Sequence, residues 1–476
     1  MPACFEHTSS AMLNGVIEGF YGPPWTDAER IQVLDWMQSL GLNTYFYAPK
    51  DDLKQRLLWR EPYTPSELAM LADLRQACLS RGVDFVFALS PGLDMSYASS
   101  VDLDQLKEKY NQLRSLGVVD FALLLDDIPD GLSANDQARF ADFASAHSHL
   151  ANSLYRWIRS EHARSRFLFC PTPYCDRMHR SHLGGKGYLE ILGRQLDPNI
   201  DVFWTGPEII SSEITLEELA AITRLLRRKP LIWDNLHAND YDGRRFFCGP
   251  YSGRPLDLRQ GIRGILHNPN NEALLNLVPW TTLADYLQTQ GESWDPRASY
   301  LKAMRQWYAQ FESSGNPISW EAFLLFGDCF YLPQQHGDQA QCLLDEASKV
   351  FTHPFGSNGH DPGLFRALAT RLRDACREVV HLKQRPLFNA LYRRNWELRE
   401  EMDLLLHCLG LLEQNPLSPL CSDYHLPGTY RGGLVLDVQR LLTQCERGGF
   451  EMPTNPSAHR GNRPASLKAT DGRSKE

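Results

Sequence analysis

The chain has 476 residues, 43% hydrophobic and 22% charged, the composition of an ordinary globular protein with room for two or three domains. Its net charge of -9 argues against a nucleic-acid partner, since phosphate binding needs a basic face. No apolar stretch is long enough to span a bilayer, so no membrane partner is expected, and Met1-Pro2-Ala3-Cys4-Phe5-Glu6-His7 lacks the basic-then-apolar pattern of a secretory signal.

In chain order, buried strands alternate with amphipathic helices through the first part. Strands are predicted at Gly15–Tyr21, Asn43–Ala48, Asp84–Leu89, Asp120–Leu125, Arg166–Cys170, Asp201–Trp204, Pro230–Trp233 and Gly264–His267, with helices between them. Thr26-Asp27-Ala28-Glu29, Thr64-Pro65-Ser66-Glu67 and Thr215-Leu216-Glu217-Glu218 have the capping-box form of a helix start. Gly41, Gly82 and Gly117 each stop a helix just ahead of a strand. The basic cluster Arg227-Arg228-Lys229 closes another helix, where it complements the dipole. Eight strand–helix units in roughly the first 280 residues predict a (β/α)8 TIM barrel. An open doubly wound sheet is the competitor, but no Gly-rich phosphate loop follows the first strand.

Active sites of such barrels form where the strands end. Here the ends turn from apolar to polar: Glu18-Gly19-Phe20-Tyr21, Ala48-Pro49-Lys50, Ser90-Pro91-Gly92, Asp126-Asp127, Pro171-Thr172-Pro173-Tyr174, Thr205-Gly206-Pro207, Trp233-Asp234-Asn235 leading to Asp240, and Asn268-Pro269-Asn270. Converging on one rim, they make a polar cup with an aromatic lining, which suits a sugar. The fourth strand stands out, because Phe121-Ala122-Leu123-Leu124-Leu125 runs straight into two carboxylates. Adjacent carboxylates push each other's proton affinities apart, which suits a pair with different roles. A helix cap or surface turn is the plainer reading of the same pair. Successive strand residues point opposite ways, so both can face one ligand only if the chain bends after Asp126.

From about Asp295 the pattern becomes helical: Ala298–Phe311, Trp320–Phe330, Gln339–Phe351, Gly363–Leu382 and Pro386–Leu412. The expected division is a barrel over 1–290, an all-α stalk over 295–450 and a disordered tail over 451–476. Arg393, Arg394, Glu397, Arg399 and Glu400 interleave with leucines in the last long helix, which fits an interface or a simple bundle packed on the barrel equally. The 11 cysteines are scattered, and Cys170, Cys329 and Cys408 lie in apolar runs, as reduced core thiols do. The spacing of Cys170, Cys175 and His179 matches no zinc pattern.

Taken together, Glu18-Gly19-Phe20-Tyr21-Gly22-Pro23-Pro24-Trp25, Tyr47-Ala48-Pro49-Lys50-Asp51-Asp52, Leu125-Asp126-Asp127-Ile128, Trp204-Thr205-Gly206-Pro207 and Trp233-Asp234-Asn235-Leu236-His237-Ala238-Asn239-Asp240-Tyr241-Asp242 resemble glycoside hydrolase family 84. The resemblance runs through the barrel and into the helical part at Phe326-Gly327-Asp328-Cys329-Phe330-Tyr331-Leu332-Pro333. Each motif alone is weak, and the ordered set is specific. The resemblance implies a retaining β-N-acetylglucosaminidase whose nucleophile is the substrate's own acetamide oxygen, an exception to the enzyme-carboxylate scheme. Its animal members take N-acetylglucosamine off Ser and Thr of intracellular proteins, which implies O-GlcNAc-modified proteins as partners, a cytoplasmic or nuclear setting and no cofactor. By the same resemblance Asp126 polarises the acetamide N–H and Asp127 is the general acid and base. Tyr174 steadies the acetamide oxygen and Asn235 lies near it. Gly19, Lys50, Asp240 and Asn268 contact hydroxyls, while Cys170, Thr205 and Trp233 line the pocket for the acetyl methyl. The helical stalk of the family makes a homodimer.

Two departures from the family pattern lie near the rim and bear on the aglycone. Cys175-Asp176-Arg177-Met178-His179 stands where members commonly carry an aromatic residue, and Pro129 where the animal enzymes usually have Asp. A form without the acetyltransferase-like C-terminal domain of the long animal enzyme is expected. Two competing readings are a sugar-binding module that has lost turnover and a scaffold acting through its helices.

Overall fold

The computed structural model describes residues 12–129, 131–291, 293–352, 355–356, 359–417, 432–441, 443–444 and 450–451. The expected tail beyond 451 lies outside them. Eight parallel strands close into a barrel in sequence order. They are β1 (Leu13–Glu18), β2 (Thr44–Tyr47), β3 (Asp84–Leu89), β4 (Asp120–Leu124), β5 (Phe167–Cys170), β6 (Asp201–Trp204), β7 (Leu231–Asp234) and β8 (Gly264–His267). The ring shuts where His267 pairs with Val16. Between the strands run α1 (Asp27–Leu40), α2 (Pro65–Ser80), α3 (Ser100–Ser115), α4 (Ala134–Gln137), α5 (Phe143–Glu161), α6 (Asp176–Arg180), α7 (Tyr188–Gln195) and α8 (Leu216–Leu226). The (β/α)8 expectation holds.

The predicted caps form as read. Thr26, Thr64 and Thr215 each accept from the amide three residues on, and the glutamate there returns the bond. Gly41, Gly82 and Gly117 take φ of 72°, 69° and 84°, the left-handed conformation that ends a helix. Arg228 serves backbone carbonyls at Leu196, Asp197, Ile200 and Leu226.

Two features differ from the sequence reading. β1 ends at Glu18 rather than Tyr21, because the next backbone groups bond to side chains: the Tyr21 amide donates to Asp240 and its carbonyl accepts from Asn271. Between β7 and β8 the connection holds a 3-10 turn, Leu256–Gly261, in place of an α-helix. Gly249-Pro250 and Gly253, with Pro255 just ahead of that turn, break any longer helix there. The vacant place is filled from the helical part. Cys248 and Gly249 donate their amides to the carbonyls of Phe330 (2.8 Å) and Tyr331 (2.6 Å), and Phe246 stacks on Phe330 at 4.4 Å.

That part continues through α9 (Leu277–Gln288), α10 (Pro296–Tyr308), α11 (Trp320–Cys329), α12 (Asp338–Phe351), α13 (Gly363–Val379), α14 (Arg385–Gln414) and α15 (Leu434–Gln439). One apolar core runs from the outer face of the barrel strands into these helices without a break. No helix among the described residues is long and apolar enough to cross a membrane. Within α14, burial and the neighbouring Glu397 and Glu400 raise the Glu401 carboxyl to about 7, while it accepts from Gln439 on α15. A raised carboxyl binds its proton more tightly in the folded chain, so its stabilisation is complete below about pH 4.5 and fades as pH climbs towards 7. Glu401→Gln is therefore expected to raise Tm at pH 8 and leave it unchanged at pH 4.5, read by thermal unfolding at both.

Candidate active site

Alternation along the strands sets which residues reach the barrel axis. Leu13, Ile17, Phe46, Ala48, Ala122, Leu124, Leu168, Cys170, Phe203, Leu231, Trp233 and Leu266 form the inner cluster, while their sequence neighbours pack outward against the helices. Continued past the strand ends, the inward phase falls on Gly19, Lys50, Asp126, Thr205, Asn235 and Asn268. Asp127 is out of phase and would face the helices. Its backbone instead adopts φ 48°, one of three non-glycine residues at positive φ among those described, and this turns its side chain into the same cavity. The bend anticipated after Asp126 is thus a single left-handed residue, a conformation Asp tolerates better than most.

The cavity encloses about 390 Å³. All eleven candidate residues line it: Gly19, Lys50, Asp126, Asp127, Cys170, Tyr174, Thr205, Trp233, Asn235, Asp240 and Asn268. Gly19 is obligatory, since a Cβ there would sit 3.1 Å from the Trp233 ring and 2.6 Å from Ile17. Tyr21 and Tyr241 complete the wall, and neither was given a role from the sequence. Both lie inside the family motifs, but in loops, where strand periodicity no longer sets direction. The third strand end contributes nothing to the lining. Its Ser90 accepts from Arg56, and Asp94 pairs with Arg60.

Each carboxylate is held differently. Asp126 is buried, and Lys50 Nζ lies 2.6 Å from its Oδ2. Burial alone would raise this carboxyl, but the Lys50 ammonium, its hydrogen bond and the Arg56 charge outweigh that and hold it below the usual range. Asp127 sits exposed at the mouth and accepts from Tyr174 on Oδ1 and Tyr21 on Oδ2, both at 3.0 Å. Burial, and then the Asp127 charge, push both phenols well above their ordinary range, so they remain donors. Burial also raises the Asp240 carboxyl and the Cys170 thiol. Trp233 Nε1 and Asn268 Nδ2 both donate to Asn235 Oδ1, at 3.0 and 2.9 Å. Thr205 donates to the carbonyl of Glu208 at 2.8 Å.

Three acceptors in this wall, Asp126 Oδ1, Asp240 Oδ1 and Asn268 Oδ1, are buried with no hydrogen-bond partner among the described residues. These oxygens are open to donors from a ligand in the cavity, as hydroxyls and an amide N–H supply. A family model described as beta-N-acetylglucosaminidase matches residues 14–318. The chain belongs to the β-N-acetylglucosaminidase family.

Membership of glycoside hydrolase family 84, expected from the motifs, is borne out. The chain is 41% identical over 277 residues to the protein O-GlcNAcases of Mus musculus and Rattus norvegicus, a span of 58% of this chain. It spans 30% of the length of those relatives. A solved variant of the O-GlcNAc hydrolase of Thermobaculum terrenum superposes with a TM-score of 0.70 at 28% identity, over 84% of both chains. Asp176–Arg180 forms the one-turn α6, bound to the β6 loop through Asp176 N to Gly206 O and Arg177 N to Pro207 O, both 3.0 Å. Arg177 adds an ion pair to Glu208. In this β-N-acetylglucosaminidase family chain these residues therefore form a fixed lip beside Thr205.

Proposed function

We propose that the chain is a retaining β-N-acetylglucosaminidase that removes O-linked N-acetylglucosamine from Ser and Thr of proteins by acetamide-assisted catalysis. The observation that carries this reading is the Lys50-anchored Asp126, buried with Oδ1 unpaired among the described residues, beside a second carboxylate at the mouth. Asp126 Oδ1 accepts the acetamide N–H and aims the acetamide oxygen at the anomeric carbon. That oxygen attacks as the glycosidic bond breaks, and Asp127 gives its proton to the departing oxygen. Asp127, now a carboxylate, takes a proton from water, whose oxygen opens the oxazolinium ring at the same carbon. Two inversions retain the anomeric configuration.

Tyr174 steadies the acetamide oxygen, and Asn235 supports the same group. Cys170, Thr205 and Trp233 enclose its methyl. Gly19, Lys50, Asp240 and Asn268 take the hydroxyls. The buried thiols Cys78, Cys170, Cys175, Cys248, Cys329 and Cys376 fit a reducing cytoplasmic or nuclear setting. Tyr392 and Trp396, exposed one turn apart on α14, support a homodimer through the helices.

The test is hydrolysis of an aryl N-acetyl-β-glucosaminide beside the matching aryl β-glucoside, with the product anomer followed by NMR. Retention is expected, with the glucoside slower by about three orders of magnitude or more for want of its internal nucleophile. Equal rates or inversion would refute the mechanism. Tight sugar binding without turnover would favour the binding-module reading.

A further inference from the structure

Five arginines are buried among the described residues, and four of them face a carboxylate: Arg30 with Glu18, Arg245 with Asp242, Arg254 with Asp234 and Arg394 with Glu272. Arg56 is the exception, with no ion pair within 4 Å among the described residues. A buried cation without a paired anion is costly, and a chain retains one where its position serves something else.

Arg56 lies in the loop after β2, and its guanidinium joins three strand ends around Asp127. Nη2 donates to the Asp127 backbone carbonyl at 3.0 Å. Nη1 donates to Ser90 Oγ, past β3, at 3.3 Å. The guanidinium carbon lies 5.8 Å from the centre of the Tyr21 ring, whose hydroxyl donates to Asp127 Oδ2. The loop is itself fixed, since the Ser90 amide donates to the Gln55 carbonyl at 2.9 Å.

We infer that Arg56 is a positioning residue for proton transfer: it holds the left-handed Asp127 peptide, and the tyrosine on its carboxylate, in the one arrangement that points the carboxyl into the cavity. This role rests on the assignment of Asp127 as the acid under the proposed function. Released from Arg56, the Asp127 peptide is free to relax toward ordinary strand geometry, whose phase faces the helices. The guanidinium geometry matters as well as the charge. A lysine ammonium cannot bridge Ser90 and the Asp127 carbonyl while lying over a ring.

The experiment measures kcat and KM of wild type, Arg56→Met and Arg56→Lys on aryl N-acetyl-β-glucosaminides graded from dinitrophenyl to phenyl leaving groups. Both variants are expected to lose about 30-fold or more in kcat/KM on the phenyl substrate and less than about 3-fold on the dinitrophenyl one, since kcat/KM stops at bond cleavage and leaves out the water-activating step common to all substrates. A purely structural role would lower both rates alike. A uniform loss, or none, in either folded variant overturns the inference. If Arg56→Met does not fold, Arg56→Lys, which keeps the charge, decides alone. A wild type inactive on every substrate overturns the proposed function as well, so the two failures are told apart.

Discussion

Asp127→Asn is expected to lower kcat/KM on a phenyl N-acetyl-β-glucosaminide by about 100- to 10,000-fold, and on the dinitrophenyl glycoside by far less. Phenol leaves slowly unless protonated, whereas dinitrophenolate needs no proton. Asp126→Asn should behave differently and depress both substrates alike, because the acetamide must be polarised whatever leaves. The contrast is sharp since both replacements preserve shape. Asn visits the left-handed region about as readily as Asp, so residue 127 keeps its φ of 48°. At residue 126 the amide loses the charge that Lys50 faces at 2.6 Å. Steady-state rates on the graded series check this, and equal losses for Asp127→Asn on both substrates would remove it as the acid.

Asp234→Ala is expected to destabilise the fold by about 3–5 kcal/mol, the usual result of stranding one partner of a buried pair. Asp234 is fully buried at the end of β7 and takes Arg254 on both oxygens (2.9 and 2.7 Å), the Tyr251 hydroxyl (2.8 Å) and the Leu236 amide (3.1 Å). Burial would raise this carboxyl, but the Arg254 charge and hydrogen bonds prevail and lower it. A lowered carboxyl stabilises fully above its unfolded value near 3.8 and loses that contribution only as pH falls through the folded value. The deficit should therefore be constant across neutral and mildly acidic pH and shrink only in strong acid. Urea denaturation measures it, and Asp234→Ala with Arg254→Met should recover part of the loss by removing the stranded cation.

The barrel and most of its site were legible in one dimension because both follow from alternation. A strand buried on two faces reads as an apolar run, and its first polar residue marks the rim, so Lys50, Asp126, Thr205 and Asn268 announced themselves. The roles of Tyr21, Tyr241 and Arg56 were not legible in this way. These residues lie in loops where direction is set by contacts from distant strands, such as the Asp240 bond to the Tyr21 amide. The same limit explains the end of β1, where side chains satisfy the backbone beyond Glu18. The missing helix before β8 was readable in principle, since Gly249-Pro250, Gly253 and Pro255 are helix breakers. The regular alternation of seven earlier units obscured that signal. What fills its place was not readable, because the contacts to Phe330 and Tyr331 span some eighty residues.

That substitution has a bearing on modularity. The loop carrying Asn235 and Asp240 returns through Cys248 and Gly249, whose amides are capped only by carbonyls beyond residue 327, and Arg394 of α14 reaches back to the Gly243 carbonyl at 3.1 Å. A gene cut after residue 290 would leave those amides unpaired and expose the apolar seat of Phe330. The barrel is therefore not an exchangeable cassette. Shuffling it onto another partner, or trimming it to a minimal enzyme, requires carrying the α11 segment along as an honorary eighth wall.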